Sequence, residues 1–479
     1  MSGPGTSGLA RPARRDLEKA FQGRLIWPGD TDFEAARLVE NSANDRRPAL
    51  IGRARDVADV AAMIRFAGDT GLPLAVRSGG HSIAGHSTGD GVLVVDLSEL
   101  NHLEIDAAAR TAWAGPGVPS GRYTATADAV DLATPFGDHG TVAVGGITLG
   151  GGIGWLVRKH GLTIDSLLAV ELVTAEGETL VASAEEHPDL FWALRGGGGN
   201  FGVATRFRLA LHPIGTVLHG SMLIPASRPA IKAVVAIGLE APDELTLMPG
   251  LMVIPPMDEV GEDHHGRLGL FIDLLWAGAP TVAGGVIAEL RSLGPVLFDT
   301  IAEKRYPAVY PEPSGNRTAW TSRSVFLDRL DDAVIEVIEH HLANSPPGDD
   351  LVIFRPLGGA AARVPSEATA YGWRDRDLLA WIIADTGRAD PDGLPAHEAW
   401  AAGLAADLGR FGSGCYVNFM ADEGPSAVAK AYPPDTWSRL RDVKRRYDPD
   451  NLFRLNQNIP PAELHAARPS EAPELDAAR

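Results

Sequence analysis

Three glycine-rich segments constrain the fold of this chain more than any other feature. They lie at 78–80, at 137–154 with eight glycines in 18 residues, and at 196–202 with five glycines in seven. Glycine lets backbone N–H groups approach a ligand because no Cβ stands in the way, and successive N–H groups form a nest for phosphate. One such segment alone is equally well explained as a tight turn. Three of them within 125 residues favour a long dinucleotide that carries a pyrophosphate.

The spacing of these glycines does not fit the Rossmann fingerprint. Gly150-Gly151-Gly152-Ile153-Gly154 lacks G-x-G-x-x-G spacing at a first strand–helix turn, and no acidic residue about 20 positions later completes a clear βαβ unit. The dinucleotide is therefore not expected to be held as NAD is. His81 directly follows a predicted strand and the first glycines, where an imidazole nitrogen is a competent nucleophile toward an activated cofactor carbon.

Charge and composition exclude several classes of function. The chain has 479 residues and a formal net charge of −19, which disfavours nucleic-acid and anionic membrane partners. Its single cysteine, Cys415, excludes an internal disulfide and a cysteine-cluster metal site, and we expect no metal. The N-terminus lacks the apolar core of a signal peptide, and no apolar run reaches the length of a membrane span. We expect a soluble, cytoplasmic protein, and the sequence leaves its oligomeric state open.

The pattern of apolar residues predicts an α+β protein. Helical spacing begins after Asp56, a plausible N-cap, and ends at Gly71, while short strands are predicted at 72–76, 92–95 and 168–174. After about residue 213 the glycine clusters stop. Longer strands are predicted at 245–248, 268–276, 352–354 and 378–383, with amphipathic helices between them, which suggests a second domain on an antiparallel sheet.

Five groups of residues occur in a fixed order along the chain. They are Arg77-Ser78-Gly79-Gly80-His81-Ser82, Val144-Gly145-Gly146 through Gly150-Gly151-Gly152-Ile153-Gly154, Gly199-Asn200-Phe201-Gly202-Val203, Tyr416-Val417-Asn418-Phe419, and Tyr447-Asp448-Pro449 with Asn456-Gln457-Asn458. Each is weak alone. The ordered set resembles the berberine bridge enzyme-like flavoproteins of the vanillyl-alcohol oxidase superfamily, over roughly residues 45–460.

The resemblance implies an α+β, two-domain PCMH-type FAD-binding fold whose substrate domain is an antiparallel sheet flanked by helices. The implied division is a lead and helix (1–45), the FAD-binding domain (46–213), the substrate domain (214–425), a C-terminal segment returning to the FAD domain (426–460) and a flexible tail (461–479). The implied FAD-binding residues are His81, joined covalently to the flavin, and Arg77, Ser78, Gly79, Gly80, Ser82, His86, His139, Val142, Gly145, Gly146, Gly150, Gly152, Gly154, Gly202, Val203, Asn418, Asn456 and Asn458.

The sequence departs from the family pattern at three places. His139 stands where many members carry a cysteine that forms a second flavin link, so a single attachment is expected. Phe419 replaces a tyrosine that often acts as the base. The glutamate that serves as base in some plant members is absent from the 378–383 strand, where Ala380 or Trp381 aligns.

Val142 occupies the position where, in this family, valine permits and leucine obstructs access of dioxygen.

These departures leave the base open. Tyr416 is the candidate catalytic residue within the motif. If 416–419 is an extended strand, however, Tyr416 lies about 10 Å along the strand from residue 419, too far to act on the same atom. Either Asp385 or Tyr371 replaces the lost tyrosine, or the substrate, such as a neutral amine, needs no strong base.

The resemblance implies an FAD-dependent oxidase. A hydride would pass from an alcohol, sugar, amine or secondary metabolite to the flavin, and dioxygen would be reduced to hydrogen peroxide. Two alternatives stay open: a flavin dehydrogenase with another electron acceptor, and a catalytically impaired flavin- or metabolite-binding protein.

Overall fold

The structure is a computed structural model that describes residues 11–312, 315–389 and 391–463. The first ten residues of the predicted lead, and residues 464–479 of the predicted tail, lie outside these ranges. Within them, no helix is both long and apolar enough to cross a bilayer.

A small mixed sheet carries the first glycine segment. Its strands are β1 (Arg24–Ile26), β2 (Leu50–Arg53), β3 (Leu74–Arg77) and β4 (Leu93–Asp96), in the order β1-β2-β4-β3. Helices α1 (Arg11–Ala20), α2 (Phe33–Ala36) and α3 (Val57–Thr70) accompany it. The predicted caps of α3 are confirmed: Asp56 accepts a hydrogen bond from the N–H of Asp59, and Gly71 ends the helix at φ +68°. Strand β1 was missed, because the polar stretch before residue 45 showed no strand pattern.

A second, antiparallel sheet follows in the chain. Its strands β5 (Leu103–Asp106), β6 (Thr111–Ala114), β8 (Leu167–Val173), β9 (Thr179–Ser183) and β10 (Val203–Ala210) have the order β5-β6-β10-β8-β9, and β7 (Leu132–Ala133) pairs with β11 (His212–Pro213). Helices α4 (Ser120–Asp128), α5 (Val144–Gly150), α6 (Val157–His160) and α7 (Pro188–Leu194) connect these strands. The second glycine segment therefore contains the short helix α5, and the third lies between α7 and β10.

The predicted large antiparallel sheet is also present. It contains β12 (Thr216–Pro225), β13 (Leu245–Val253), β14 (Leu268–Trp276), β15 (Phe298–Asp299), β16 (Ala302–Arg305), β17 (Trp320–Leu327), β18 (Leu351–Pro356) and β19 (Leu378–Asp385). Helices α8 (Arg228–Glu240), α9 (Pro280–Arg291), α10 (Asp332–Ala343) and α12 (Leu394–Leu408) bury their apolar stripes against it, and α11 (Gly359–Arg363) packs on α6. Alternation along β19 directs Ala380, Ile382 and Ala384 into this core and leaves the other side chains for the opposite face.

The last described helices are α13 (Pro425–Lys430) and α14 (Pro434–Tyr447), and the chain then returns to the third glycine segment. The buried ammonium of Lys444 fixes this return, because it donates to the carboxylate of Asp448 (2.7 Å) and to the carbonyls of Asn200 (2.7 Å) and Phe453 (3.0 Å). Burial of this cation is tolerated because three acceptors replace its water.

Candidate active site

A cavity of about 540 Å³ lies between the glycine-rich segments and the large sheet. Predicted site residues from five separate parts of the chain line it: Ser78, Gly79, Gly80, His81, Ser82, His86, His139, Val142, Gly145, Gly146, Gly202, Val203, Tyr416, Asn418 and Asn456. Its size is within the range of cofactor and small-molecule sites. The fold thus brings together residues that are up to 378 positions apart in the sequence.

The wall formed by the glycine segments is shaped to receive a ligand. A Cβ built at Gly146 or Gly199 meets no atom within 4 Å, so the backbone at these two lining residues borders open space. The amide of Asn456 adds a polar group: its nitrogen donates to the carbonyl of Gly199 (3.3 Å), and its buried Oδ1 has no partner among the described residues. A bare backbone and an unsatisfied polar atom fit a bound dinucleotide.

Five predicted cofactor residues do not line the cavity: Arg77, Gly150, Gly152, Gly154 and Asn458. The Arg77 guanidinium is buried and donates to Asp96 (2.9 Å). A Cβ at Gly150, Gly152 or Gly154 would approach Asn418, Thr163 or Phe136 to 2.0 Å or less. The absence of a side chain at these three glycines therefore permits close packing beside the cavity lining. Asn458 is half-buried beyond the wall.

His81 is held as a neutral imidazole. Burial, together with the charge of His139, lowers the pKa of His81 to about 4. Its Nε2 lies 3.0 Å from the hydroxyl of Thr141, and Nδ1 has no hydrogen bond within the described ranges. A neutral ring with one free nitrogen is what a nucleophilic attachment to a cofactor requires.

The predicted extended conformation of 416–419 is wrong. Residues Val417–Phe419 form a 3₁₀ turn, because the N–H of Phe419 donates back to the carbonyl of Tyr416 (2.9 Å). The rings of Tyr416 and Phe419 are consequently only 4.8 Å apart and perpendicular, so the argument from a 10 Å separation does not hold.

The environment of Tyr416 gives a different reason against its action as a base. Its oxygen accepts hydrogen bonds from the N–H of Gly152 (2.7 Å) and from the amide of Asn418 (2.9 Å). Burial raises the pKa of Tyr416 to about 12. The hydroxyl is engaged in holding the 150–154 loop, and a phenolate is not formed near neutral pH.

The wall opposite the glycine segments is aromatic and comes largely from the large sheet. The rings of Trp381 and Phe419 stack in parallel with centroids 4.0 Å apart. The Arg355 guanidinium lies 5.1 and 5.3 Å from these two ring centroids and pairs with Asp138. Trp320 also lines this side. Phe419 therefore serves as part of a stacked aromatic surface in place of an ionisable group.

Two carboxylates lie on the same side of the cavity. Asp385 accepts hydrogen bonds from the hydroxyl of Thr318 (2.8 Å) and the N–H of Gly387 (2.9 Å). Burial is the main cause that raises the pKa of Asp385. Glu40 comes from the N-terminal segment, and its pKa is also raised by burial, with a further contribution from the charge of Asp385. Tyr371, the other candidate base, does not line this cavity.

Sequence reasoning missed Glu40, Trp320 and Thr318. The side chain of Asn41 fixes Glu40 beside the large sheet, because its amide donates to the carbonyl of Trp320 (2.8 Å) across 279 positions. No local pattern signals this contact. The alternation of Trp381, Ile383 and Asp385 along β19 is the one available signal, since these residues share a face.

Comparison with known proteins identifies the group to which this chain belongs. Residues 48–183 match the FAD binding domain family, and residues 415–460 match the berberine and berberine-like family. The (R)-6-hydroxynicotine oxidase of Paenarthrobacter nicotinovorans is 33% identical over 460 residues, 92% of this chain and 97% of that protein. The chain belongs to the berberine bridge enzyme-like family of FAD-linked oxidoreductases.

Other members of the berberine bridge enzyme-like family are similar over comparable lengths. The crystal structure of 6-hydroxy-D-nicotine oxidase from Arthrobacter nicotinovorans has a TM-score of 0.82 at 29% identity, covering 94% of this chain and 99% of that one. The xylooligosaccharide oxidase of Thermothelomyces thermophilus is 29% identical over 88% of this chain and 89% of that protein. The predicted PCMH-type fold, the FAD cofactor and the class of FAD-dependent oxidoreductase are thereby confirmed.

Proposed function

We propose that the protein is an FAD-dependent oxidase of a small cationic amine, with flavin attached to His81 alone. When bound, FAD accepts a hydride from the substrate and passes the electrons to dioxygen, which yields hydrogen peroxide. The observation that carries the amine is the pair of half-buried carboxylates, Glu40 and Asp385, on the aromatic side of the cavity. The chemistry of the relative named for hydroxynicotine, which contains an amine, supports the same class.

The carboxylates and the aromatic rings on one side of the cavity suit an ammonium group in complementary ways. A carboxylate forms charge-assisted hydrogen bonds to N–H donors. The face of Trp320 attracts a cation through its quadrupole, whereas Trp381 and Phe419 stack on each other with the Arg355 guanidinium beside them. Burial penalises the charged form of both half-buried carboxylates, and an ammonium group would place a favourable charge beside them that a neutral sugar lacks.

Asp385 is the residue proposed to hold and accept the substrate proton. An ammonium nitrogen must lose a proton before its neighbouring carbon can give up a hydride, and a carboxylate of raised pKa is better matched to accept it. Thr318 and Gly387 orient the carboxylate. This assignment chooses between the two ionisable candidates, because Tyr371 lies outside the cavity lining.

A single covalent attachment follows from the surroundings of the other candidates. His139 cannot form the thioether for which the family uses a cysteine at this position. Cys415 is not among the lining residues, and burial raises the pKa of its thiol to about 12. A protonated thiol away from the cavity is a poor nucleophile.

The amine assignment is tested by an anaerobic screen in which flavin absorbance reports reduction. Secondary and tertiary cyclic amines should bleach the flavin, whereas xylo-oligosaccharides and simple alcohols at equal concentration should not. Admitting air should restore the absorbance and release one hydrogen peroxide per flavin. Bleaching by the sugars but not by any amine would exclude the amine assignment, and a failure to reoxidise in air would favour a dehydrogenase.

Val142 is expected to control reoxidation. It lines the cavity, and its carbonyl accepts a hydrogen bond from Ser120 Oγ (2.6 Å), so the segment cannot retreat easily from a larger side chain. In a close-packed wall an extra methylene fills the space that a diatomic molecule needs. Val142→Leu should slow reoxidation by about tenfold, a barrier increase of about 1.4 kcal/mol. Stopped-flow measurement should find the anaerobic reduction rate unchanged, and Val130→Leu, at an exposed valine, should reoxidise at the wild-type rate. Equal reoxidation rates in the two variants would refute control of dioxygen access by Val142.

A further inference from the structure

We propose that Thr141 and His139 form a proton relay that removes the proton from His81 while His81 becomes bonded to the flavin. This inference rests on the proposed attachment at His81. His139 stands at the position of the family's cysteine. In place of forming a second covalent link, it would accept a proton while the flavin becomes attached to His81.

A continuous hydrogen-bonded chain connects the three side chains. His81 Nε2 lies 3.0 Å from Thr141 Oγ1, and the same oxygen lies 3.0 Å from His139 Nδ1. The two imidazole rings are 5.9 Å apart, so the threonine hydroxyl bridges nitrogens that do not touch directly. Both bonds have the normal length for transfer of a proton between heteroatoms.

The turn that carries Thr141 is fixed at both ends. Ser120 Oγ donates to the carbonyls of His139 (3.1 Å) and Val142 (2.6 Å). The N–H of Gly121 donates to the carbonyl of Gly140 (2.8 Å). Because the residues on both sides of Thr141 are tied to the start of helix α4, the hydroxyl stays in place between the two rings.

The chain of hydrogen bonds has one consistent direction. A neutral His81 that keeps Nδ1 free must carry its proton on Nε2, so Nε2 donates to the threonine oxygen. The threonine hydroxyl then donates to Nδ1 of a neutral His139. A proton that leaves His81 Nε2 therefore displaces the hydroxyl proton onto His139, with no rotation of either ring.

The covalent step balances with dioxygen as the oxidant. The 8α-methyl carbon of the flavin loses one hydrogen as a proton and forms a C–N bond to His81 Nδ1, while the ring system takes up two electrons. Bond formation gives His81 a positive charge, which is lost as the Nε2 proton passes through Thr141 to His139. Dioxygen then takes the two electrons and two protons and leaves as hydrogen peroxide, which restores the oxidised flavin.

His139 lies at the solvent end of the hydrogen-bonded chain. Its side chain is exposed, in contrast to the half-buried ring of His81, and can pass the proton to solvent. A positive charge on His139 disfavours a second positive charge on His81. The carboxylate of Glu40 interacts favourably with a positively charged His139. Burial disfavours a positive charge on His81, which favours departure of the proton from this ring.

The experiment measures covalent loading of apoprotein with FAD in air, by flavin fluorescence of the acid-precipitated protein over time. His139→Asn keeps a hydrogen-bonding atom near the Nδ1 position but cannot take up the proton, and Thr141→Val removes the bridge. Both should slow covalent loading by about a hundredfold, the contribution of a positioned proton acceptor. Thr141→Ser should load at nearly the wild-type rate, and added imidazole should accelerate loading of His139→Ala.

Controls separate the relay from folding and from the attachment itself. Loading is measured at FAD concentrations that saturate non-covalent binding in each variant, as judged by fluorescence quenching in the first minutes, so that a change in affinity does not enter the rate; the exposed His102→Asn should load normally. Wild-type protein that releases all its flavin in acid would refute attachment at His81, and with it the relay. Covalent wild type together with normal loading of His139→Asn, or no rescue by imidazole, would overturn the relay alone.

Discussion

Asp385→Asn is expected to raise the dissociation constant of an amine substrate by about tenfold to a hundredfold. The change removes a charge-assisted hydrogen bond of about 1.5–3 kcal/mol while it preserves the shape of the side chain. The measurement is the concentration dependence of anaerobic flavin reduction. Asp349→Asn is the matched control, because this neighbouring carboxylate is exposed and does not line the cavity.

The pH dependence of binding provides a second readout of the same carboxylate. The pKa values of Asp385 and Glu40 are raised, so both groups lose their negative charge as the pH falls through those values. Affinity for the ammonium form should therefore decrease toward acid in the wild type, and this decrease should disappear in the Asp385→Asn, Glu40→Gln double variant. Unchanged affinity of Asp385→Asn at pH 7 would remove these carboxylates from substrate recognition.

His81→Ala is expected to abolish covalent attachment completely. In the wild type, acid-precipitated protein should stay yellow, and a tryptic peptide that contains His81 should carry the mass of FAD. In the variant, acid should release all the flavin, and gel filtration should strip part of it, because only non-covalent contacts remain. His102→Ala, at an exposed histidine outside the cavity, should retain the covalent flavin. A flavin-modified peptide containing Cys415 in either protein would refute single attachment at His81.

Elements with strong local signals were predictable from the sequence. Helix α3 has its N-cap at Asp56 and a left-handed glycine at position 71. Strand β14 is a mainly apolar run, and both of its ends agree with the predicted range 268–276. The glycine segments indicated a dinucleotide because backbone N–H groups can approach a phosphate where no side chain is present, and the absence of side chains is visible in the sequence. The resemblance to flavoproteins rested on the same segments.

The remaining parts depend on contacts that no local pattern encodes. The turn at 416–419 is set by a hydrogen bond from the N–H of Tyr416 to Ser324 Oγ and by one turn of 3₁₀ hydrogen bonding, neither of which is evident in a four-residue motif. Glu40 reaches the cavity because Asn41 binds the backbone of Trp320. The packing of Gly150, Gly152 and Gly154 against Asn418, Thr163 and Phe136 is likewise not evident in the sequence.

Glu40 and Asn456 line the same cavity from distant parts of the chain, which has a consequence for the biosynthesis of the protein. Glu40 is made early and Asn456 late, and Asn456 bonds directly to the glycine segment at residue 199. A nascent chain that has not yet reached Asn456 lacks one part of the cavity lining. We therefore expect FAD to be captured by the finished apoprotein and not by chains still attached to the ribosome.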